Sequence, residues 1–409
     1  SNDRLTQRRT AVILSSTPTP IVTVKEGHAI IRRGERITQQ HMDTLKELRN
    51  LTSPQTKIKK FALNLAIYFT FFSILFRINI GRRGLWHLAL RDSMFFLVVS
   101  SFTWVLLRMA LPHINFLSPL AQRYGFEYLF PISTAGIILN LVMGKEVAVI
   151  YSIASAFVMA TMLGENMFYA LWATTVTLTA VHTIKGCKQR SDLFRCGIWS
   201  GGLGAVVILA YASMQVLGFQ KVDWAGIALT ALFAMFSGII SSAIVSFVIP
   251  VVESIYGYTT SLKLLELSNF NHPLLHTLMM KAPGTYHHSV IVGSLAELAA
   301  DRIHANGLLA RVSAYYHDIG KMGKPLYFIE NPHDHLNPSM SAKILFSHVK
   351  NGVRLGREYN LGAKVIDIIE QHHGTTLVSY FFNKAKNIED KENDPVDESH
   401  FRYPGPKPR

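Results

Sequence analysis

The chain has 409 residues, of which 49% are hydrophobic and only 17% are charged, against about 25% charged residues in an ordinary soluble domain. This composition argues against an ordinary soluble protein and favours a membrane protein. The formal net charge of +14 is spread over short loops and the first sixty residues, without a stripe of interleaved aromatic side chains, so it does not indicate a DNA- or RNA-binding surface.

Residues 1–56 are polar and mixed, and the first ten lack the apolar core of a signal peptide. The segments AVILSS, PIVTV and HAIIRR predict short strands, and the segment ITQQHMDTLKELRN predicts a helix that begins at Thr38. So short a segment cannot bury a good core alone. We interpret it as a small α+β remnant, the tail of a larger domain, and we expect an upstream portion of the protein.

Residues 57–252 predict a transmembrane bundle of about seven helices. Each apolar segment approaches the ~20 residues that cross a bilayer as a helix. The third segment is short and could pair with the fourth as a shallow hairpin. The predicted segments are residues 61–80, 93–111, 128–143, 146–164, 166–184, 197–217 and 224–251.

The charges of the connecting loops predict the orientation of this bundle. The loops Arg77 to Asp92 and Lys185 to Arg195 each sum to +3, and positively charged loops favour the cytoplasmic side. Three lysines at 57, 59 and 60 disagree, because they precede the first segment on the other side. A preceding signal-anchor helix would fix the topology regardless of them. An odd number of segments then places the C-terminal end of the chain in the cytoplasm.

The membrane segments read as a sensor or anchor rather than as a transporter. Transport paths usually carry charges at mid-membrane, whereas Arg77, Arg108 and His182 lie near segment ends. Gly197 and Gly201 form a GxxxG-type pair that suits close helix packing. Only two cysteines are present, so no disulfide framework is predicted.

The chain turns amphipathic after the last membrane segment. Residues 253–284 predict a linker helix, with leucines at helical spacing in SLKLLELSN and a break at Asn271-His272-Pro273. Residues 285–409 predict an all-helical domain, because the words SVIVGSLAELAADRI, LLARVSAYYHDIGK, SMSAKILFSHVKNGVRLGREY and AKVIDIIEQHH follow one another. The polar, Pro-rich tail from Asn387 predicts a loop.

Histidine is concentrated in this last domain, since twelve of the seventeen histidines lie beyond residue 271. Transition metals prefer imidazole nitrogen, and a carboxylate oxygen can bridge two ions. Asp318 is the natural bridge between two such ions, which makes hydrolysis of a phosphate ester the favoured reaction. The predicted metal ligands are His288, His317, Asp318, His348, His372 and His373.

Other polar positions of this domain have weaker predicted roles or none. Lys321, one turn past Asp318, would place a positive charge on a phosphate, or it would be a solvated cation near a helix end. His287 is a candidate for substrate contact or for a structural role. The dipeptide His333-Asp334 is an internal control, because it lies in the polar loop ENPHDHLNP without helical context. His335 in the same loop reads as a surface residue.

The same residues carry a resemblance to a known family. The words KAPGTYHHSVIV, LLARVSAYYHDIGKMGKP, ENPHDHLNPSMSA, FSHVKNG and EQHHGTT resemble the bacterial seven-transmembrane-receptor HD hydrolases, and the likeness extends back to VKEGHAIIRRGERIT. The resemblance implies an extracytoplasmic sensory domain, a membrane bundle and a cytoplasmic all-helical HD domain. It also implies a dinuclear iron or manganese phosphodiesterase that opens cyclic di-AMP to linear pApA in the bacterial cytoplasmic membrane.

The chain departs from that family pattern at its end. The family's last ligand is an aspartate on a helix after the FRYPGPKP-like loop, and Asp390, Asp394 and Asp397 precede that point. We therefore expect a sequence truncated at both ends, with incomplete metal binding.

Two alternatives stay open at this stage. One is a receptor whose incomplete HD domain binds nucleotide or a partner, and the other is a phosphatase of other nucleotides or lipid phosphates. The expected partners are a cyclic dinucleotide and the lipid bilayer, without DNA or RNA, and a homo-oligomer is left open.

Overall fold

The structure is a computed structural model, and it describes residues 30–31, 34–52, 90–117, 125–163, 166–184, 187, 189–217, 223–328, 337–389 and 396–408. The chain forms two units, Ser1–His87 and Leu88–Arg409. In the first unit, helix α1 (Gln39–Thr52) confirms the helix predicted from Thr38. The predicted strands between residues 11 and 33 lie outside the described residues, apart from a bend at residues 30–31.

The described residues contain no strand in either unit, and Leu377 and Arg402 form an isolated antiparallel bridge. The helical part of the predicted fold class is therefore confirmed, whereas its small α+β remnant at the N-terminus is not supported.

Six apolar helices begin the second unit. They cover six of the seven predicted membrane segments, and the first predicted segment, 61–80, lies outside the described residues. Within the part of the chain that the structure describes, five stretches are long and apolar enough to cross a bilayer, and α5, with 17 residues, is at the short end of the range for a span. The helices are α2 (Leu90–Leu117), α3 (Ser133–Met143, preceded by a 3-10 turn at Phe126–Leu129), α4 (Lys145–Met162), α5 (Met167–Thr183), α6 (Arg190–Leu217) and α7 (Trp224–Tyr256).

Small residues let the membrane helices approach closely. A Cβ atom at Gly201 of α6 would lie 2.2 Å from the Met235 carbonyl oxygen of α7, so only glycine fits there. This contact confirms the packing role predicted for the Gly197 and Gly201 pair. The short α3 packs with α4 in one buried cluster that includes Ile137 and Tyr151, as the predicted pairing requires.

The remaining helices form the C-terminal helical domain. Leucines of α8 and α9 share one buried core with Val312, Tyr316 and Ile369, so the predicted linker region packs as part of this domain. The helices are α8 (Ser261–Leu267), α9 (Pro273–Lys281), α10 (Pro283–Arg302), α11 (Gly307–Tyr316), α12 (Pro338–Glu358), α13 (Ala363–Gln371) and α14 (Ser379–Glu389), with 3-10 turns at Ile319–Gly323, Pro325–Tyr327 and Glu398–Phe401.

The tail beyond α14 is more ordered than the loop predicted from its polar composition. Phe401 and Tyr403 are buried, and the Tyr403 N–H donates to the Thr376 carbonyl at 3.1 Å. The predicted loop holds for most of residues 396–408, whose backbone is irregular outside the 3-10 turn Glu398–Phe401, but two aromatic side chains anchor the segment beside the end of α13.

Candidate metal centre

Asp318 occupies the turn that follows α11. The helix begins at the cap Asn306, whose side chain accepts a hydrogen bond from the Leu309 N–H at 3.0 Å. Buried Tyr316 and Ile319 flank the turn on either side and fix it in the core. Asp318 is therefore only 3% exposed, so its carboxylate is buried.

Helix α12 crosses this turn at Gly320. A Cβ atom at Gly320 would lie 1.8 Å from the His348 carbonyl oxygen, so a side chain has no room there. The close approach brings His348, which is 1% exposed, to the carboxylate of Asp318, with 3.3 Å between His348 Nε2 and Asp318 Oδ1. Gly320 thus sets the distance between the two predicted ligands.

The end of α13 completes one group of donors. His372 is the C-cap residue of α13, and its Nε2 lies 3.8 Å from Asp318 Oδ1 and 3.4 Å from His348 Nε2. Asp318, His348, His372 and His373 each offer a ligand atom within 4.8 Å of one another. The structure therefore brings four predicted ligands from three parts of the chain to one point.

A second group shares the same aspartate. His288, His317 and Asp318 also offer ligand atoms within 4.8 Å of one another. The ring centroids of His288 and His317 are 5.6 Å apart, and His317 Nε2 lies 3.0 Å from Asp318 Oδ2. Asp318 thus turns one carboxylate oxygen toward each group, and its role as a bridge between two ions stays a prediction.

Backbone carbonyls orient the three central imidazoles. Nδ1 of His317 faces the Ala314 carbonyl at 2.7 Å, Nδ1 of His372 faces the Ile369 carbonyl at 2.8 Å, and Nδ1 of His348 faces the Leu345 carbonyl. A neutral ring that donates its Nδ1 proton keeps a lone pair on Nε2, as metal-binding histidines do.

This orientation leaves lone pairs facing one another. When neutral His348 and His372 donate their Nδ1 protons to backbone carbonyls, each ring has a lone pair on Nε2. These two lone pairs face each other and Asp318 Oδ1. Among the described residues, Asp318 Oδ1 is buried without a hydrogen-bond partner. Buried acceptors that converge without a donor are costly unless a cation lies between them. The donor set therefore fits a divalent metal ion.

The protonation states agree with this geometry. Burial lowers the pKa of His372 to about 4 and that of His373 to about 3, so both rings are neutral at pH 7. Burial alone would raise the pKa of Asp318, but the hydrogen bond from His317 and the charge of Lys321 hold it well below its usual range. Burial also lowers the pKa of His317, yet the contact with Asp318 outweighs it and the net shift is upward.

Lys321 lies beside the carboxylate of Asp318. Its Nζ atom is 2.7 Å from Asp318 Oδ2 and 5.4 Å from the centroid of the Phe328 ring, and its side chain is 17% exposed. It is therefore not a solvated cation at a helix end, the alternative that the sequence left open. Its predicted contact with phosphate stays a prediction.

The other candidates lie elsewhere. His287 is exposed, and it belongs to neither donor group among the described residues. Asp397 is exposed and uses its carboxylate to accept a hydrogen bond from the Ser399 N–H at 2.8 Å, so it caps a local turn. Asp390, Asp394, His333, Asp334 and His335 lie outside the described residues.

Sequence reasoning missed Tyr403. Its ring stacks on His373 with centroids 4.1 Å apart and planes 15° apart, and burial raises its pKa, so the phenol stays neutral. The only signal for it was the aromatic pair in FRYP, inside a segment that otherwise reads as a loop. Tyr403 gives His373 a fixed ring orientation.

Family models match the chain in three consecutive parts. A model described as "7TM-HD extracellular" matches residues 1–52, one described as "7TM receptor with intracellular HD hydrolase" matches residues 60–260, and one described as "HD domain" matches residues 285–397. Together they follow the order of the regions predicted from the sequence.

Two curated relatives carry the name cyclic-di-AMP phosphodiesterase PgpH. The relative from Bacillus subtilis is 37% identical over 294 residues, with 69% of this chain and 40% of the relative covered. The relative from Listeria monocytogenes is 38% identical over 297 residues, with 70% and 40% covered. This chain thus spans about two fifths of the length of each.

A solved structure, titled as the L. monocytogenes phosphodiesterase PgpH HD domain in complex with cyclic-di-AMP, is 52% identical. The match covers 34% of this chain and 64% of that chain, with a TM-score of 0.32.

Proposed function

Because this chain belongs to the family of 7TM receptors with an intracellular HD hydrolase, we propose that its C-terminal helical domain is a metal-dependent phosphodiesterase that opens cyclic di-AMP to linear pApA. The observation that carries the proposal is the convergence of two donor groups on Asp318, whose Oδ1 and Oδ2 face different histidines. The names of the relatives supply the substrate.

The proposal assigns two divalent ions to the site, iron or manganese. His348, His372 and His373 would hold one, His288 and His317 the other, and Asp318 both. Two such ions lower the pKa of water and neutralise charge on a phosphate when bound. Imidazole with one shared carboxylate suits transition metals better than magnesium or calcium, which prefer oxygen ligands.

The residues of the chain have separate roles in the proposed reaction. Water adds across one P–O3′ bond of the ring, so that a 5′-phosphate and a 3′-hydroxyl form and the proton of the water ends on the leaving oxygen. Lys321, held by Asp318, is the cation closest to the bridging carboxylate and is proposed to face a phosphate of the substrate. The backbone carbonyls behind His317, His348 and His372 keep the ligand atoms aimed at the reacting centre.

The proposal extends to the arrangement in the membrane. We assign residues 1–56 to an extracytoplasmic sensory domain, 57–252 to the transmembrane bundle, 253–284 to the connection and 285–409 to the cytoplasmic HD domain. The positively charged loops 77–92 and 185–195 support this orientation in a bacterial cytoplasmic membrane. A signal outside the cell would then regulate hydrolysis inside it.

A substrate panel tests the proposal. The Mn²⁺-loaded full chain in lipid nanodiscs would be given cyclic di-AMP, AMP, a single-stranded RNA and phosphatidic acid. We expect pApA from cyclic di-AMP, lost in Asp318→Ala and retained in Asp334→Ala, the second His-Asp dipeptide of the sequence. If cyclic di-AMP binds but is not hydrolysed, the domain is a receptor rather than an enzyme. If another compound of the panel is hydrolysed faster, cyclic di-AMP is not the substrate.

A further inference from the structure

Four residues, Gly257–Thr260, follow the last membrane helix, and we call them the joint. Together they contact helices α2, α7, α8 and α13. Gly257 is the C-cap of α7, and its N–H donates to the Glu253 carbonyl at 2.9 Å. The side chain of Thr260 hydrogen-bonds the Glu253 carboxylate and caps α8, accepting from the Lys263 N–H. The joint is therefore anchored at both of its ends to the membrane side and to the first helix after it.

The joint also caps α13, the helix that carries His372 and His373. The first amides of a helix need acceptors from outside it. Gly362, the N-cap residue of α13, has no side chain to supply one. The Ala363 N–H donates instead to the Gly257 carbonyl at 3.2 Å, and the Lys364 N–H donates to Thr259 Oγ1 at 3.3 Å. The cap of α13 is thus supplied by residues about a hundred positions earlier in the chain.

Helix α13 is short and closely packed. Its nine residues span about 13 Å at the usual helical rise. Val365 and Ile369 are fully buried, and the Ile369 carbonyl faces Nδ1 of His372. The capped end and the ligands therefore lie at opposite ends of one short helix, with no loop between them. A shift of the capped end moves the ligands with it.

The membrane side reaches the joint through α2. The Tyr258 hydroxyl donates to Asp92 Oδ1 at 2.7 Å, and the Arg91 guanidinium lies 4.7 Å from the centroid of the Tyr258 ring. Arg91 Nη1 also donates to the Tyr256 carbonyl at 3.2 Å. Helices α2 and α7 thus meet at Tyr256 and Tyr258, the chain neighbours of the two residues that cap α13.

We propose that Gly257 and Thr259 are positioning residues that cap α13 and thereby tie the ligands His372 and His373 to the membrane helices α2 and α7. This proposal rests on the proposed function for the role of His372 and His373 as metal ligands. The hydrogen bonds of the cap do not depend on metal or substrate. Through the joint, a movement of α2 relative to α7 would shift α13 and its two ligands.

The cap is tested by hydrogen exchange in the metal-free full chain in nanodiscs. Thr259→Val keeps the branched shape and removes the acceptor, so amide exchange at the start of α13 should quicken about fivefold, as expected for a lost cap. Thr259→Ser should restore protection. Thr277→Val is the matched control, because its hydroxyl bonds the Pro273 carbonyl within α9. Equal exchange in the wild type and Thr259→Val would overturn the proposal.

The link to the site is tested by Mn²⁺ titration of the same variants. Removal of a group that positions a ligand typically weakens metal binding about tenfold, which is the effect expected for Thr259→Val. Unchanged affinity in a variant with faster exchange would show a cap that does not position the ligands. If cyclic di-AMP is not hydrolysed while both effects appear, the proposed function fails and the cap stands.

The link to the membrane is tested by a double-mutant cycle. Asp92→Ala removes the carboxylate of α2 that accepts the hydrogen bond from the Tyr258 hydroxyl, and it leaves both capping residues of α13 unchanged. We expect Asp92→Ala to weaken Mn²⁺ binding about threefold in the wild type and to have no further effect in Thr259→Val. Asp192→Ala, at the start of α6, is the control acid. Additive losses, or no loss with Asp92→Ala, would overturn the membrane connection.

Discussion

The two donor groups that share Asp318 differ in how firmly the protein holds them. His348 is 1% exposed and lies in the interior of α12, and His372 and His373 are fixed by the end of α13 and by Tyr403. His288, by contrast, is exposed on the side of α10. The enclosed group is preorganised for a metal, while the outer group leaves room for a substrate. The following predictions use this difference.

Loss of the shared carboxylate should remove both ions and cause the largest effect. Asp318→Asn keeps the shape of the side chain but replaces a charged acceptor with a neutral amide that can donate to a histidine lone pair. We expect metal content to fall from two ions per chain to less than one, with turnover down about 10³-fold. Elemental analysis and a pApA assay measure these effects.

The control for this variant is Asp367→Asn, which changes an exposed acid on α13 in the same way. It should keep both ions. If Asp318→Asn also keeps both, the two groups do not share a bridge.

Loss of one histidine from each group should separate the two ions. His348→Gln removes a ligand from the enclosed group, so the tighter of two Mn²⁺ affinities should weaken by more than the roughly 10–100-fold that loss of an outer partner costs. His288→Gln should weaken only the looser affinity. Calorimetric titration distinguishes the sites, and an identical loss in both variants would make the difference in burial irrelevant to binding.

Room for the enclosed group depends on Gly320. Gly320→Ala would place a Cβ atom 1.8 Å from the His348 carbonyl oxygen, so α12 must move away from Asp318. We expect a loss of about 2–3 kcal/mol in the stability of the domain, the usual cost of overpacking, and weaker Mn²⁺ binding. Gly323→Ala in the same turn is the control, because its Cβ would meet only Asn351 Nδ2 at 3.6 Å. Similar melting temperatures for the two variants would contradict this role of Gly320.

The enclosed group was predictable from the sequence, and its support was not. His348 and His372 each follow an apolar stretch at helical spacing, so their helices and inward faces could be predicted. Gly320 and Tyr403 could not be assigned roles, because each acts on a residue from a distant part of the chain. Gly320 contacts the backbone of His348, and Tyr403 contacts the ring of His373.

The same limit explains the joint and the N-terminal region. Six of the membrane segments follow from apolar runs alone, since a bilayer fixes their length. The cap of α13 joins residues 257–259 to residues 362–364, and the sequence near Gly362 shows only that a local cap is missing. The strands predicted before Thr38 rested on segments of five or six residues with at most four consecutive apolar residues, which are weak evidence without a pairing partner.

The smallest predicted effect concerns protons. Burial lowers the pKa of His317, but its contact with Asp318 outweighs burial and the net shift is upward, so the metal-free site keeps this proton to higher pH than an unperturbed imidazole would. His372 and His373, with pKa values near 4 and 3, hold none. Since a ligand histidine must be neutral, Mn²⁺ binding at pH 7 should release up to about one proton per chain, from the outer group alone.

Calorimetry in buffers of different ionisation enthalpy measures this release. Proton release should disappear at pH values well above the pKa of His317. The affinity for Mn²⁺ should rise with pH up to that range and then level off. It should also disappear in His317→Gln but persist in His373→Gln. If proton release persists in His317→Gln, the proton belongs to the enclosed group. The Nε2 atoms of His348 and His372 would then share a proton, and they would not present two free lone pairs to a metal ion.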